Sequence, residues 1–149
     1  SYLDFMVSGS YNRYYYTEDL QTGAAKTASI KGNQIPDAPE YMANAALAFH
    51  DRGWRLTPSL RYYSEHYGDV DNTQKINGAT LVDVDASYTY RNLWAFKEAT
   101  FRVTLTNLFN REYISSIITP DNALAANTTK TSYQSGAPFG AYAGIALKF

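Results

Sequence analysis

Apolar and polar residues alternate with a period of two along much of this chain, the pattern of an extended strand whose two faces meet different surroundings. About six segments carry it. In the first, from Leu3 to about Tyr16, Leu3, Phe5, Val7, Gly9 and Tyr11 oppose Asp4, Met6, Ser8, Ser10 and Asn12. In the second, Tyr41 to His50, Tyr41, Ala43, Ala45, Leu47 and Phe49 oppose Met42, Asn44, Ala46, Ala48 and His50. The third starts at Trp54 and sets Trp54, Leu56, Pro58, Leu60 and Tyr62 against Arg55, Thr57, Ser59, Arg61 and Tyr63. The fourth, Leu81 to Tyr90, sets Val82, Val84, Ala86, Tyr88 and Tyr90 against Asp83, Asp85, Ser87 and Thr89. The fifth starts near Thr100, with Phe101, Val103 and Leu105 against Arg102, Thr104 and Thr106. Its phase blurs at Asn107-Leu108-Phe109, where a β-bulge is expected. The sixth closes the chain, with Phe139, Ala141, Ala143, Ile145, Leu147 and Phe149 opposite Gly140, Tyr142, Gly144, Ala146 and Lys148.

The connections alternate in length. Tyr16 to Glu40, Glu65 to Ala79 and Ser115 to Pro138 are long and polar. His50 to Gly53 is tight, with Asp51-Arg52-Gly53 as turn chemistry, and Arg91 to Ala99 is shorter than the others. Long loops on one side and short turns on the other are the habit of outer-membrane barrels. The turns at Asp51–Gly53 and around Trp94 are therefore expected on the same membrane side as Phe149, and the loops around Thr22, Asn72 and Ala125 on the other.

Composition strengthens this reading. The chain holds 14 Tyr, 7 Phe and 2 Trp against 2 Met. Tyr and Trp settle where one end of a side chain is apolar and the other wet. Phe49, Trp54, Tyr88, Tyr90, Phe101 and Phe149 fall near the short turns or the C-terminus, and Tyr11, Tyr41, Tyr62 and Tyr113 at the opposite strand ends, giving two aromatic girdles. No apolar run approaches the ~20 residues of a membrane helix. A mean hydropathy of −0.39 does not argue against a barrel, because only alternate strand residues face lipid. The expected fold class is all-β: an antiparallel transmembrane β-barrel segment of about six meandering strands, in a bacterial outer membrane.

Candidate chemistry changes the picture little. A net charge of −1 gives no basic stripe for nucleic acid. There is no Cys, which removes disulfides, thiolate metal sites and cysteine nucleophiles. His50 and His66, the only histidines, sit on different segments near opposite membrane sides, so a shared metal site is not expected. Asp69-Val70-Asp71-Asn72 opens like a calcium loop but lacks the later Gly and terminal Glu. No nucleophile–base set and no phosphate-cradling glycine loop is present, so no catalytic residue, metal site or cofactor is expected. The lumen-facing charges, Asp4, Arg55, Arg61, Asp83, Asp85, Arg102 and Lys148, read as cross-strand ladders. Tyr67 and Tyr133 in the loops are the candidates for contact with a solute.

The last eight residues, Tyr142 to Phe149, fit the outer-membrane β-signal: an aromatic at Tyr142, a glycine two later at Gly144, and the alternating pair Leu147 and Phe149. A terminal strand can be captured by edge addition to a sheet, and Gly144 would let a second backbone approach. The run Val103 to Tyr113, with Asn107-Leu108-Phe109-Asn110-Arg111-Glu112-Tyr113 at its end, resembles the penultimate strand of TonB-dependent receptors. Gly32-Asn33-Gln34-Ile35-Pro36-Asp37-Ala38-Pro39-Glu40 resembles their Gly-x-x-x-Pro-x-x-Pro approach to an earlier strand. Ser135-Gly136-Ala137-Pro138-Phe139 resembles their Gly-x-Pro-Arg approach to the last one, with Phe139 where the family has Arg.

The resemblance implies a receptor that takes up a scarce solute, most often a ferric siderophore, powered through the TonB complex. It also implies a plugged barrel of about 22 strands. Six strands are fewer than the ~8 of the smallest barrels, and open edges are not tolerated in lipid. Residues 1–149 are thus expected to be the C-terminal part of a barrel domain, with no plug domain and no TonB box among them. The expected partners are outer-membrane lipid, the remaining strands and plug of the same receptor, the TonB complex, the barrel assembly machinery and a small solute. A passive porin or adhesin barrel and a soluble all-β sugar-binding module are the alternatives.

Overall fold

The computed structural model describes residues 1–21, 27–93, 95–118 and 131–149. The elements in chain order are β1 (Tyr2–Tyr11), β2 (Leu20–Gln21), β3 (Thr27–Ala28), β4 (Tyr41–Asp51), β5 (Trp54–Tyr63), β6 (His66–Tyr67), β7 (Lys75–Ile76), β8 (Ala79–Leu93), β9 (Phe96–Thr106), β10 (Ile114–Ile118), β11 (Ser132–Ser135) and β12 (Gly140–Lys148). Six of them form one antiparallel sheet in the order β1-β4-β5-β8-β9-β12, a plain meander. The sheet is open, with β1 and β12 at its edges. The remaining six pair as short ribbons, β2 with β3, β6 with β7 and β10 with β11, inside the long connections.

Within the paired strands, register carries each face across the sheet without a slip. Phe49 lies opposite Leu3 and Leu56, Leu56 opposite Ala86, Ala86 opposite Val103, and Val103 opposite Ala143. On the other face, Arg55 lies opposite His50 and Ser87, and Arg102 opposite Ser87 and Gly144. The two faces expected from the alternation are those observed. The apolar face is uncovered on the two edge strands: Leu3, Phe5, Val7, Ile145 and Leu147 are all exposed. A soluble sheet of this size would bury its apolar face against a second layer.

The Asp51–Trp54 hairpin closes in two residues. Arg52 and Gly53 both have positive φ (43° and 92°), the left-handed pair that suits the right-handed strand twist. A Cβ on Gly53 would also stand 2.7 Å from the Thr89 carbonyl oxygen. Further along, the β4–β5 ladder is interrupted at Leu47 and Ala48, opposite Thr57 and Pro58, where proline has no amide hydrogen to give.

Several boundaries differ from the sequence reading. The first strand stops at Tyr11 rather than Tyr16: Asn12 donates to the Glu40 carbonyl, and Tyr15 bridges Gln34 within the following connection. The shorter connection after Arg91 is tighter than expected, since β8 runs to Leu93 and β9 begins at Phe96. Trp94, Thr22 and Ala125 lie outside the described residues. At Asn107 the ladder does slip. Its φ is +48°, its amide turns to the Asp83 carboxylate, and Leu108 takes the Val82 carbonyl, which is the expected bulge.

Of the twelve buried residues among those described, three, Ala48, Ser87 and Ala99, lie within the sheet away from the long connections, and the other nine cluster at one end. Ile30, Gln34, Ser64, His66, Ile76, Ala79, Leu81, Asn107 and Ile117 all lie in, or at the root of, the long connections. At the opposite end the aromatic belt is continuous. Ring centroids are 4.7 Å apart for Trp54 and Tyr88, 4.4 Å for Tyr88 and Tyr90, and 6.2 Å for Tyr90 and Phe101. Tyr11 and Tyr41 pair at 5.0 Å at the loop end. Tyr113 does not join them. It packs against Gly136 and lines a cavity with Asn44, Arg61 and Tyr63 from the polar face, because the chain folds inward after the Asn107 bulge.

Candidate functional site

On the polar face the charges pair across strands. Arg61 reaches Asp83 at 3.2 Å, Arg102 reaches Asp85 at 3.5 Å and Lys148 reaches Glu98 at 3.6 Å. His50 stands 3.2 Å from Asp4, under a stacked Tyr2 ring. Thr104 adds a 2.8 Å hydrogen bond to Asp85. These are ladders, as the spacing anticipates. Arg55 has no ion pair among the described residues. No group of His, Asp and Glu among the described residues could hold a metal.

The long connections build a cap at one end of this wall. In the first, residues 12–16 pair back on 30–35: Tyr16 donates to the Asn33 carbonyl, Gly32 to the Tyr16 carbonyl and Ile35 to the Tyr14 carbonyl. Tyr15 donates its hydroxyl to Glu40, and that bond, before any other cause, raises its pKa above the ordinary tyrosine value. In the second, Asp69 is the organiser. Its carboxylate accepts from the Thr73 amide (3.1 Å), the Thr73 hydroxyl (2.6 Å) and the Gln74 amide (2.8 Å). In the third, Asn107 donates to the carbonyls of Arg111 and Ala137, each at 2.9 Å, and accepts from the Arg111 amide at 2.8 Å. Asn110, with φ +49°, accepts from the Phe139 amide at 2.9 Å. Asparagine tolerates left-handed backbone and offers both a donor and an acceptor, which is what this corner needs.

The two candidate tyrosines lie in neighbouring connections. Tyr67 is half-buried in β6, and its carbonyl accepts from the Asp37 amide at 2.9 Å. Tyr133, in β11, covers Gly68, where an added Cβ would stand 2.7 Å from its ring, and donates its hydroxyl to Gln74. Burial, then the charge of Asp69, raises the Tyr133 pKa, so the phenol keeps its proton and stays a donor at neutral pH. Tyr133 also lines a cavity of about 760 Å³ with Lys75, Asn77, Arg111 and Glu112. Sequence reasoning missed Asp69, Asn72, Asn107 and Asn110 as organisers of the cap. The signal that could have found them is the set of Asx residues flanking the strands.

Tyr142, Gly144, Leu147 and Phe149 all belong to the edge strand or its end. Tyr142 and Gly144 fall on the polar face and Leu147 on the apolar one, and the Phe149 ring meets Phe96 at 5.0 Å. No atom lies within 4 Å of where a Gly144 Cβ would be, so packing within this sheet does not demand the glycine.

A profile of the family described as TonB dependent receptor-like, beta-barrel, matches residues 2–108. The chain belongs to that family. It is 31% identical over 115 residues to the ferrichrome outer membrane transporter/phage receptor of Escherichia coli, covering 74% of this chain and 14% of that protein. It is 34% identical over 62 residues to the vitamin B12 transporter BtuB of Photobacterium profundum, covering 42% of this chain and 9% of that one. The ferric citrate transporter FecA, in its unliganded crystal structure, superposes with a TM-score of 0.74 at 18% identity, over 99% of this chain and 21% of that one. The chain thus spans a small fraction of the relatives it matches. In a segment of a TonB-dependent receptor barrel, the apolar face is the outside of the wall, the charge ladders line the lumen and the cap is built over one rim.

Proposed function

We propose that this chain is the C-terminal part of the wall of an outer-membrane receptor for active uptake of a scarce solute, with a ferric siderophore as the first candidate. The supporting observation is the pairing of a six-strand ladder, apolar on one face and charged on the other, with a hydrogen-bonded cap at one end. The relatives named above are transporters and receptors, which favours uptake over catalysis. In this reading the remaining strands meet the edges at β1 and β12, a plug domain fills the lumen, and the TonB complex acts through that plug. Tyr67 and Tyr133 touch solute at the outer loops. Tyr142, Gly144, Leu147 and Phe149 form the signal read by the assembly machinery while β12 is still an open edge, where backbone pairing is available.

The test is accumulation of labelled ferric siderophores in iron-starved cells with and without the receptor. Active uptake predicts receptor-dependent accumulation that stops when the proton gradient is collapsed. Accumulation that survives collapse points to a passive barrel. A receptor recovered in the aqueous fraction without detergent would indicate a soluble module and sink the proposal.

A further inference from the structure

The first two long connections, residues 12–40 and 64–78, are joined by a lock with a distinct chemical form. Asn72 sits in left-handed backbone, φ +55°, which aims its side chain across to the neighbouring connection. There it treats Gln34 as one strand treats another. The Asn72 amide oxygen accepts from the Gln34 backbone N–H at 2.7 Å, and the Asn72 amide nitrogen donates to the Gln34 carbonyl at 2.9 Å. Gln34 is only 7% exposed, so this bidentate pair is shielded from competing water. Three further contacts cross the same seam. Asn33 donates its side-chain amide to the Val70 carbonyl at 2.9 Å, the Asp37 amide donates to the Tyr67 carbonyl at 2.9 Å, and the Asp37 carboxylate lies 3.8 Å from His66 Nε2. The second connection in turn meets the third through the Tyr133 hydroxyl on Gln74.

We propose that the first two connections form one cooperative unit held by Asn72, so that a solute contacting either one orders or displaces both. The functional part of this statement rests on reading these loops as the solute's entrance. The mechanical part does not. A bidentate pair between a side chain and a buried backbone has no partial state that keeps one hydrogen bond without straining the other. The seam therefore opens as a whole, the behaviour expected of a cooperative opening unit.

Hydrogen exchange on the receptor that carries this chain, purified in detergent and without any solute, tests the lock. The informative variant is Asn72→Gly, which permits the positive φ without strain and removes the side-chain amide. The informative amides are Tyr16, Gly32 and Asn33, which bond within the first connection and do not touch Asn72. They should exchange about tenfold faster, the equivalent of one to two ordinary hydrogen bonds lost at the seam. Exchange in β4, β5 and β8 should stay at the native rate. Native rates at Tyr16, Gly32 and Asn33 in the Asn72→Gly variant would overturn the proposal, as would acceleration confined to residues 68–74 or spread through the wall strands. None of these outcomes bears on whether the receptor transports a siderophore.

Discussion

The wall and the cap of this molecule are held together by different physics. The wall has no core of its own. Its strands are joined by backbone ladders in strict register, and its large apolar side chains are left outside to be covered by something other than protein. The cap does the reverse. It has little regular structure, yet it contains most of the buried residues among those described, and side-chain amides and carboxylates bonded to backbone set its shape. A wall of this kind depends on its solvent and tolerates many sequences that keep the alternation. A cap of this kind depends on a few particular side chains.

The sharpest way to break the comparison is to ask whether the two ends of the wall face different compartments. A thiol probe excluded by the outer membrane should label Asp71→Cys in intact cells and leave Arg52→Cys unlabelled, and equal labelling would sink the assignment of the cap to the outside. Next in size is the facing of β8. Val84→Arg near the bilayer middle should cost roughly 2–4 kcal/mol in a folding titration in lipid. Asp83→Asn should cost about 1 kcal/mol or less, since the amide oxygen can still accept from Asn107 and only a part-exposed ion pair with Arg61 is lost. The reverse order would mean that the phase of β8 is wrong.

In the cap the expected loss is local. Asn107→Ala removes three hydrogen bonds from a buried corner at positive φ and should cost about 2 kcal/mol. It should be seen as faster proteolysis at Arg111, with the wall's heat resistance kept. Phe149→Ala separates an assembly role from a packing one. Folded, membrane-inserted protein should fall well below the yield of Phe49→Ala at matched expression, and equal yields would reduce Phe149 to one more belt aromatic. The smallest effect is expected at Tyr133→Phe. It loses a single hydroxyl donor to Gln74, about 1 kcal/mol, and should quicken exchange near residue 74 while leaving the strand yield unchanged.

The wall is legible in the sequence because period two is a direct image of two-sided surroundings. All six strands, both faces and the bulge at Asn107 follow from it. The cap is not legible, for an equally physical reason. Asn72, Asn107 and Asn110 act through left-handed backbone and contacts across 38, 30 and 29 residues, and such contacts leave no period. Tyr16 and Tyr113 mislead for that reason: each continues an alternation that the backbone abandons a few residues earlier. Gly32 to Glu40 and Asn107 to Tyr113, which the sequence offers only as resemblances, acquire a role as the segments that tie the cap down.

The strand order has a kinetic consequence. Every strand of the sheet pairs with its neighbour along the chain, with no crossover, so the wall can grow one hairpin at a time from either side. Each added hairpin covers one open edge and presents one new edge of similar length. The number of backbone groups left without a partner therefore stays nearly constant as the wall widens. An assembly catalyst that shields the two open edges is enough for a wall of any width, and because the entropy of loop closure grows only slowly with loop length, the long connections add little to the cost of each step.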